Sequence, residues 1–173
     1  MAEYKTFEHD VLVIGAGGTS TIVSLVNRQR AKKMDLRLLK EIITAVPASL
    51  KIHDARLEIV LVGAGRMARL NEKYLRHRGP TDVMAFDYSA GRRQPGQTPA
   101  HLRGEIFVCV DEAISQSRKF RTQWQSEIVR YIVHGILHLA GHDDSRPAAR
   151  KKMKRAEDGL MRKLSGRFAL SGL

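Results

Sequence analysis

Three imidazoles and two carboxylates stand within His134-Gly135-Ile136-Leu137-His138-Leu139-Ala140-Gly141-His142-Asp143-Asp144, at the end of an apolar run. His134 and His138 are four residues apart, so on a helix they share one face, with Cβ atoms about 5–6 Å apart. Two ring nitrogens at that separation can meet one metal ion. Gly141 can take the left-handed conformation that ends a helix and turns the chain back. That turn brings His142 or Asp144 within reach as a third donor. Asp144 ranks first, because a residue only one past the turn has the less favourable reach. Three protein donors with a fourth position open describe a catalytic zinc site rather than a structural one. Two histidines and a carboxylate also suit non-haem iron, so zinc is favoured but not forced.

The spacing of His134, His138, Gly141 and Asp144 overlays the H-E-x-x-H-x-x-G-x-x-H pattern of metzincin proteases, with two differences. Gly135 replaces the glutamate that would be the general base, which argues against peptide hydrolysis by that route. Asp144 replaces the third histidine, a chemically tolerable exchange because carboxylate oxygen binds zinc at distances close to those of imidazole.

The charge around this motif points to the partner. The chain has 173 residues, a net charge of +12 and a pI near 10.3, a field that predicts an anionic partner. Between Arg146 and Arg167 nine lysines and arginines face only Glu157 and Asp158. RNA, DNA and an acidic membrane surface are the candidates, and the clustering puts nucleic acid ahead of a chain that is merely soluble and basic. Cys109 is the only cysteine, so neither a disulfide framework nor a thiolate zinc cluster is available. Its place in Ile106-Phe107-Val108-Cys109-Val110 predicts a buried, inert thiol. No stretch approaches the ~18 apolar residues of a membrane span, and the N-terminus does not resemble a secretory signal. These features predict a cytoplasmic protein that engages no membrane.

The elements that must position the motif can be read from periodicity. Residues 21–27 alternate as a strand. Residues 35–50 have a helical period with Asp35 as N-cap. A strand over 56–62 is punctuated by Gly63 and Gly65. A helix over 67–76 and a strand over 82–88 come next. Residues 89–103, rich in glycine and proline, read as a surface loop, and 104–110 as a fourth strand. Asp111 is expected to cap a helix to about Lys119. Thr122 and Gln125 are expected to form a capping box for the helix that carries the two histidines. After Pro147 a last helix repeats Met153, Ala156, Leu160 and Leu164. The order βαβαββαα predicts an α+β fold, a small four-stranded mixed sheet packed with helices, with the zinc site at a helix end. One domain over 21–173 is expected.

Residues 1–20 stand apart. Asp10-Val11-Leu12-Val13-Ile14-Gly15-Ala16-Gly17-Gly18 resembles the N-terminus of succinate dehydrogenase flavoprotein subunits. FAD binding is nevertheless not expected. Ser20 stands where the dinucleotide fingerprint needs its third glycine, and residues 21–27 alternate as a strand instead of opening a helix. The segment is read as an appendage without a role in the chemistry.

Leu70-Asn71-Glu72-Lys73-Tyr74, Pro80-Thr81-Asp82-Val83-Met84-Ala85-Phe86, Arg103-Gly104-Glu105-Ile106 and His134 to Asp144 occur in the order and approximate spacing of the bacterial YbeY family. These are single-strand-specific endoribonucleases of ribosomal RNA maturation. The resemblance covers Thr21 to Leu164. It implies an α+β fold, one Zn²⁺ per chain, and a single-stranded RNA substrate in a basic cleft above the metal. It further implies work at the 3′ end of small-subunit rRNA, association with the ribosome and a part in its quality control.

Two positions depart from the family pattern: Asp144 stands for its third histidine, and Leu75 for an arginine after the tyrosine. Arg76 or His77 is therefore the candidate to supply that arginine's catalytic function. The base is expected to be water activated at the metal. Asp82 and Glu105 are candidates to orient a ligand histidine. Arg78, Arg150, Lys151, Lys154 and Arg155 are the candidate RNA contacts. The rival expectation is an rRNA-binding assembly factor with a structural metal and little catalysis. A metalloprotease comes third.

Overall fold

The computed structural model describes residues 9–16, 19–89 and 99–173, with His9–Thr19 given by backbone alone. Strands β2 (Thr19–Asn27), β3 (Asp54–Val62), β4 (Val83–Asp87) and β5 (His101–Cys109) form the expected mixed sheet. A fifth strand, β1 (His9–Ala16), adds to its edge, giving the order β1-β2-β3-β5-β4. β2, β3 and β5 are parallel, with Leu25, Ile59 and Ile106 in register, while β1 and β4 run antiparallel to their neighbours. The Gly17-Gly18 turn and residues 90–98 of the expected loop lie outside the described residues.

The strands obey a period of two. Leu57, Ile59 and Leu61 of β3 face the larger core, with Leu25, Leu102, Ile106 and Val108. Val60 and Val62 face the opposite side with Val26, Phe107 and Cys109. Helices α1 (Leu36–Ser49), α3 (Val110–Phe120), α4 (Trp124–Leu139) and α5 (Pro147–Arg167) cover the first face. Helix α2 (Ala64–Leu75) covers the second through Met67. It reaches only the C-terminal half of β3, so Arg56 and Glu58 stay exposed.

Helix α4 lies against β4 and β5, with Ile128, Ile132, Val133, Ile136 and Leu137 buried. Gly135 and Gly104 make this approach possible. A Cβ on Gly135 would stand 2.8 Å from Ile106 Cγ2, and one on Gly104 would stand 2.6 Å from the Phe86 carbonyl oxygen and from Leu139.

Several local expectations need correction. β5 begins at His101, because residues 101–103 pair with β3 and are not loop. α2 begins three residues before the expected Met67. Asp111 does not cap its own helix. Its carboxylate accepts from the Ala64 amide at 2.6 Å, an orphan donor at the start of α2. The capping box of α4 does not form: Gln123 is the N-cap without a side-chain bond, and Thr122 donates to Glu127 at 2.6 Å. Asp35 caps α1 as expected, accepting from the Leu38 amide at 2.9 Å. Cys109 is buried, and burial pushes its thiol pKa up.

Candidate metal centre

The C-terminal turns of α4 present both histidines on one side, with His134 toward α5. The helix then closes as the sequence anticipates. Gly141 has φ +88°; its amide bonds to the His138 carbonyl at 2.9 Å, and that of His142 to Leu137 at 3.0 Å. This is the paired termination that a left-handed residue permits. The chain beyond it is pinned twice. Asp143 accepts from the Ser145 amide and hydroxyl at 2.9 and 2.6 Å, and Arg150 Nε donates to the Asp144 carbonyl at 3.0 Å.

That return places the Asp144 carboxylate over both imidazoles, 3.8 Å from His134 Nε2 and 3.9 Å from His138 Nε2. The two Nε2 atoms are 3.1 Å apart. Among the described residues, His134, His138 and Asp144 are the one such group converging closely enough to hold a metal ion. Donors around tetrahedral zinc at 2.0–2.1 Å would stand roughly 3.3 Å from one another, so the set fits that ion. The His142 ring is not in this group. Its backbone carbonyl is what serves the site, 3.2 Å from His138 Nδ1.

His134 Nδ1 lies 3.0 Å from Glu157 Oε2. Glu157 is buried on α5, and its other oxygen accepts from Arg130 at 2.6 Å and Lys154 at 3.2 Å. Burial alone would raise its pKa, but the bonds from His134, Arg130 and Lys154 prevail and pull it down to about 2. The same contact raises the pKa of His134, whereas burial and then the neighbouring His134 lower that of His138. With both Nδ1 atoms facing acceptors, the two Nε2 lone pairs point at each other, an arrangement suited to a cation.

Glu157 is the residue that sequence reasoning missed. Its signal was there: it stands on the apolar stripe of Met153, Leu160 and Leu164, at the spacing of an inward position. Asp82 and Glu105, the expected orienters, make no hydrogen bond to either histidine. Asp82 Oδ1 accepts from the Thr81 hydroxyl at 3.0 Å and the Val83 amide at 2.8 Å. Glu105 accepts from Tyr88 at 3.0 Å.

The other candidates are scattered. Arg76, His77 and Arg78 are exposed beyond α2 and make no side-chain hydrogen bond or ion pair with the three converging residues. Arg76 is the left-handed C-cap of that helix, with φ +55°. Lys151 and Arg155 are exposed on α5. Lys154 is engaged with Glu157 and Asp158.

Comparison with known proteins bears on the same residues. The family profile described as Endoribonuclease YbeY matches residues 24–165. A YbeY endoribonuclease of Chlorobium luteolum is 30% identical over 139 residues, covering 80% of this chain and 96% of the relative. One from Clavibacter sepedonicus is 35% identical over 151 residues, covering 84% and 95%. A solution structure from Thermotoga maritima shares the fold, with a TM-score of 0.58 at 23% identity over 83% of this chain and 89% of the other. With its histidine helix, strands β3, β4 and β5 and most of its length inside that match, the chain belongs to the YbeY endoribonuclease family.

Proposed function

We propose that the chain is a zinc-dependent, single-strand-specific endoribonuclease of ribosomal RNA maturation, with His134, His138 and Asp144 as the metal ligands. The observation that carries this reading is the pair of Nε2 atoms 3.1 Å apart under the Asp144 carboxylate. Zinc in that donor set supplies a Lewis acid that acidifies water and polarises a phosphate oxygen. Glu157 holds the proton on His134 Nδ1 and so keeps Nε2 available. Gly135 faces Ile106 and Val83, so the position that carries the glutamate base in metzincin proteases points into the core here. Peptide hydrolysis by that route is disfavoured.

Arg76 and Arg78 are the guanidiniums offered for charge on the reacting phosphate, and His77 an imidazole that can pass a proton. Arg150, Lys151 and Arg155 would track the RNA backbone, with Lys154 in a lesser part. The proposed setting is the cytoplasm, on small-subunit rRNA at the ribosome. Among the described residues no helix is long and apolar enough to cross a membrane.

A second reading, an rRNA-binding assembly factor with little catalysis, draws on Leu75, which is 56% exposed where the family pattern has arginine. Labelled single-stranded and duplex RNA, incubated with and without chelator beside His138→Ala, separates the two. The nuclease reading expects cutting of the single strand alone, abolished by chelator and by the substitution. Ribosome binding undiminished by either, with no RNA cut, would favour the assembly factor.

A further inference from the structure

Tyr131 stands one turn before His134 on α4, roughly 4.5 Å back along the helix axis. It is 7% exposed, and its hydroxyl makes no hydrogen bond with a described residue. Among the described residues no buried side-chain nitrogen or oxygen lacks a partner, so this hydroxyl must reach open space. The space is a cavity of about 470 Å³ that Tyr131 lines together with Asp82, Glu112, Gln116, Phe120 and Glu127. Burial, then the charges of Asp82, Glu127 and Glu112, push the Tyr131 pKa far up. The hydroxyl is therefore a hydrogen-bond donor at any working pH.

The three carboxylates each have one oxygen engaged. Glu112 accepts from Gln116 at 2.6 Å, Glu127 from Thr122 at 2.6 Å, and Asp82 from Thr81 and Val83. Each second oxygen is left to accept from a ligand. The carboxylates do not converge closely enough to share a cation, unlike His134, His138 and Asp144. Nor can an acidic cavity hold phosphate, even on a chain of net charge +12. What fits is a flat group with N–H donors on its edge, and the ring of Phe120, 63% exposed with the Lys119 ammonium 5.3 Å from its centroid, stands at the rim to stack on it.

We propose that this cavity, whose Tyr131 stands one turn before His134 on α4, is a nucleobase subsite, which takes guanine and, less well, cytosine, and rejects uracil. Guanine sets N1–H and N2–H side by side, two donors for the free carboxylate oxygens, and presents O6 to the Tyr131 hydroxyl. Cytosine offers only its N4 amino group to the acids. Uracil offers a single donor, N3–H, flanked on both sides by carbonyls that the carboxylates repel. The assignment rests on the ribonuclease reading for the identity of the polymer, but not on cleavage.

The test is fluorescence anisotropy of the zinc-loaded full chain with labelled oligouridine strands, unaltered or carrying one central guanosine or cytidine. The guanosine strand is expected to bind about tenfold tighter than plain oligouridine. Glu112→Gln combined with Glu127→Gln should bring that ratio close to one, and Tyr131→Phe, nearly isosteric, should reduce it in part. Removing two negative charges tightens every strand, so the ratio is the quantity read. Equal binding of all strands by the unaltered chain would overturn the proposal, and so would a ratio unmoved by the double substitution. A lysine-rich peptide binding in place of the guanosine preference would assign the cavity to a protein amine, which also overturns it. Cleavage followed in the same mixtures keeps the two readings apart. Base preference without chelator-sensitive cutting removes the nuclease and leaves the subsite, and cutting without preference does the reverse.

Discussion

Glu157 shows how one side chain can decide what a metal site does. Its oxygens take the His134 Nδ1 proton on one side and Arg130 with Lys154 on the other, so a buried carboxylate stays ionised. Glu157→Gln keeps the shape and removes the charge. The substitution is expected to weaken zinc binding by roughly 10–100-fold, measured by competition with a chromophoric chelator. The metal-free protein supplies a second readout. A carboxyl whose pKa falls from the ordinary 4.5 to about 2 on folding adds stability above its unfolded pKa. That stability is lost as pH falls through the folded value. Unfolding free energies from urea titrations of chelated wild type should drop between pH 4.5 and about 2 by on the order of 2 kcal/mol more than those of Glu157→Gln. Equal acid sensitivity would detach Glu157 from His134. The sequence made His134, His138 and Gly141 legible because helical spacing and a turn glycine are local properties. It hid Glu157 because an acid in a basic run reads as surface unless the inward stripe of that helix is traced first.

At the scale of elements, the helices and strands follow from periodicity, while their ends follow from partners distant in sequence. Asp111 looks like the cap of the helix it opens, yet it serves the Ala64 amide 47 residues away. β5 starts early because residues 101–103 find β3 beside them. Close approach is equally invisible to a sequence pattern. Gly135, legible only as a missing protease base, is where α4 touches β5, and Gly104 answers it from the strand. Gly135→Ala would gain about 1 kcal/mol of helix propensity but push a methyl into Ile106, whose branched side chain has few rotamers to yield. With a contact of 2.8 Å the overpacking falls in the upper part of about 1–3 kcal/mol, so a net loss of up to about 2 kcal/mol in denaturant stability is expected. Gly104→Ala should cost more, because part of its clash is with the backbone oxygen of Phe86. If Gly135→Ala raised the urea midpoint, the contact that seats α4 would not be as tight as the distances require.

Across the whole molecule, the expected architecture stands, with an added antiparallel strand at the β2 edge. Residues 1–20 fail a nucleotide-binding pattern, but that test says nothing about whether 9–16 can pair with a neighbouring strand. Charge is the other molecular property, and composition alone treated the cations of α5 as equivalent. They are not equivalent: Lys154 lies against Glu157 and Asp158, while Lys151 and Arg155 are exposed. Counterion release makes the distinction measurable, since each phosphate neutralised on a single strand adds about −0.7 to the slope of log K against log salt. Lys151→Ala with Arg155→Ala should flatten that slope by about 1.4, and Lys154→Ala should change it by much less. All three substitutions remove positive charge, so a mere effect of net charge would flatten the slope in proportion to the cations lost. Unequal slopes from single Lys151→Ala and Lys154→Ala variants would place the RNA backbone on the exposed face of α5. Equal slopes would move its path elsewhere on the molecule.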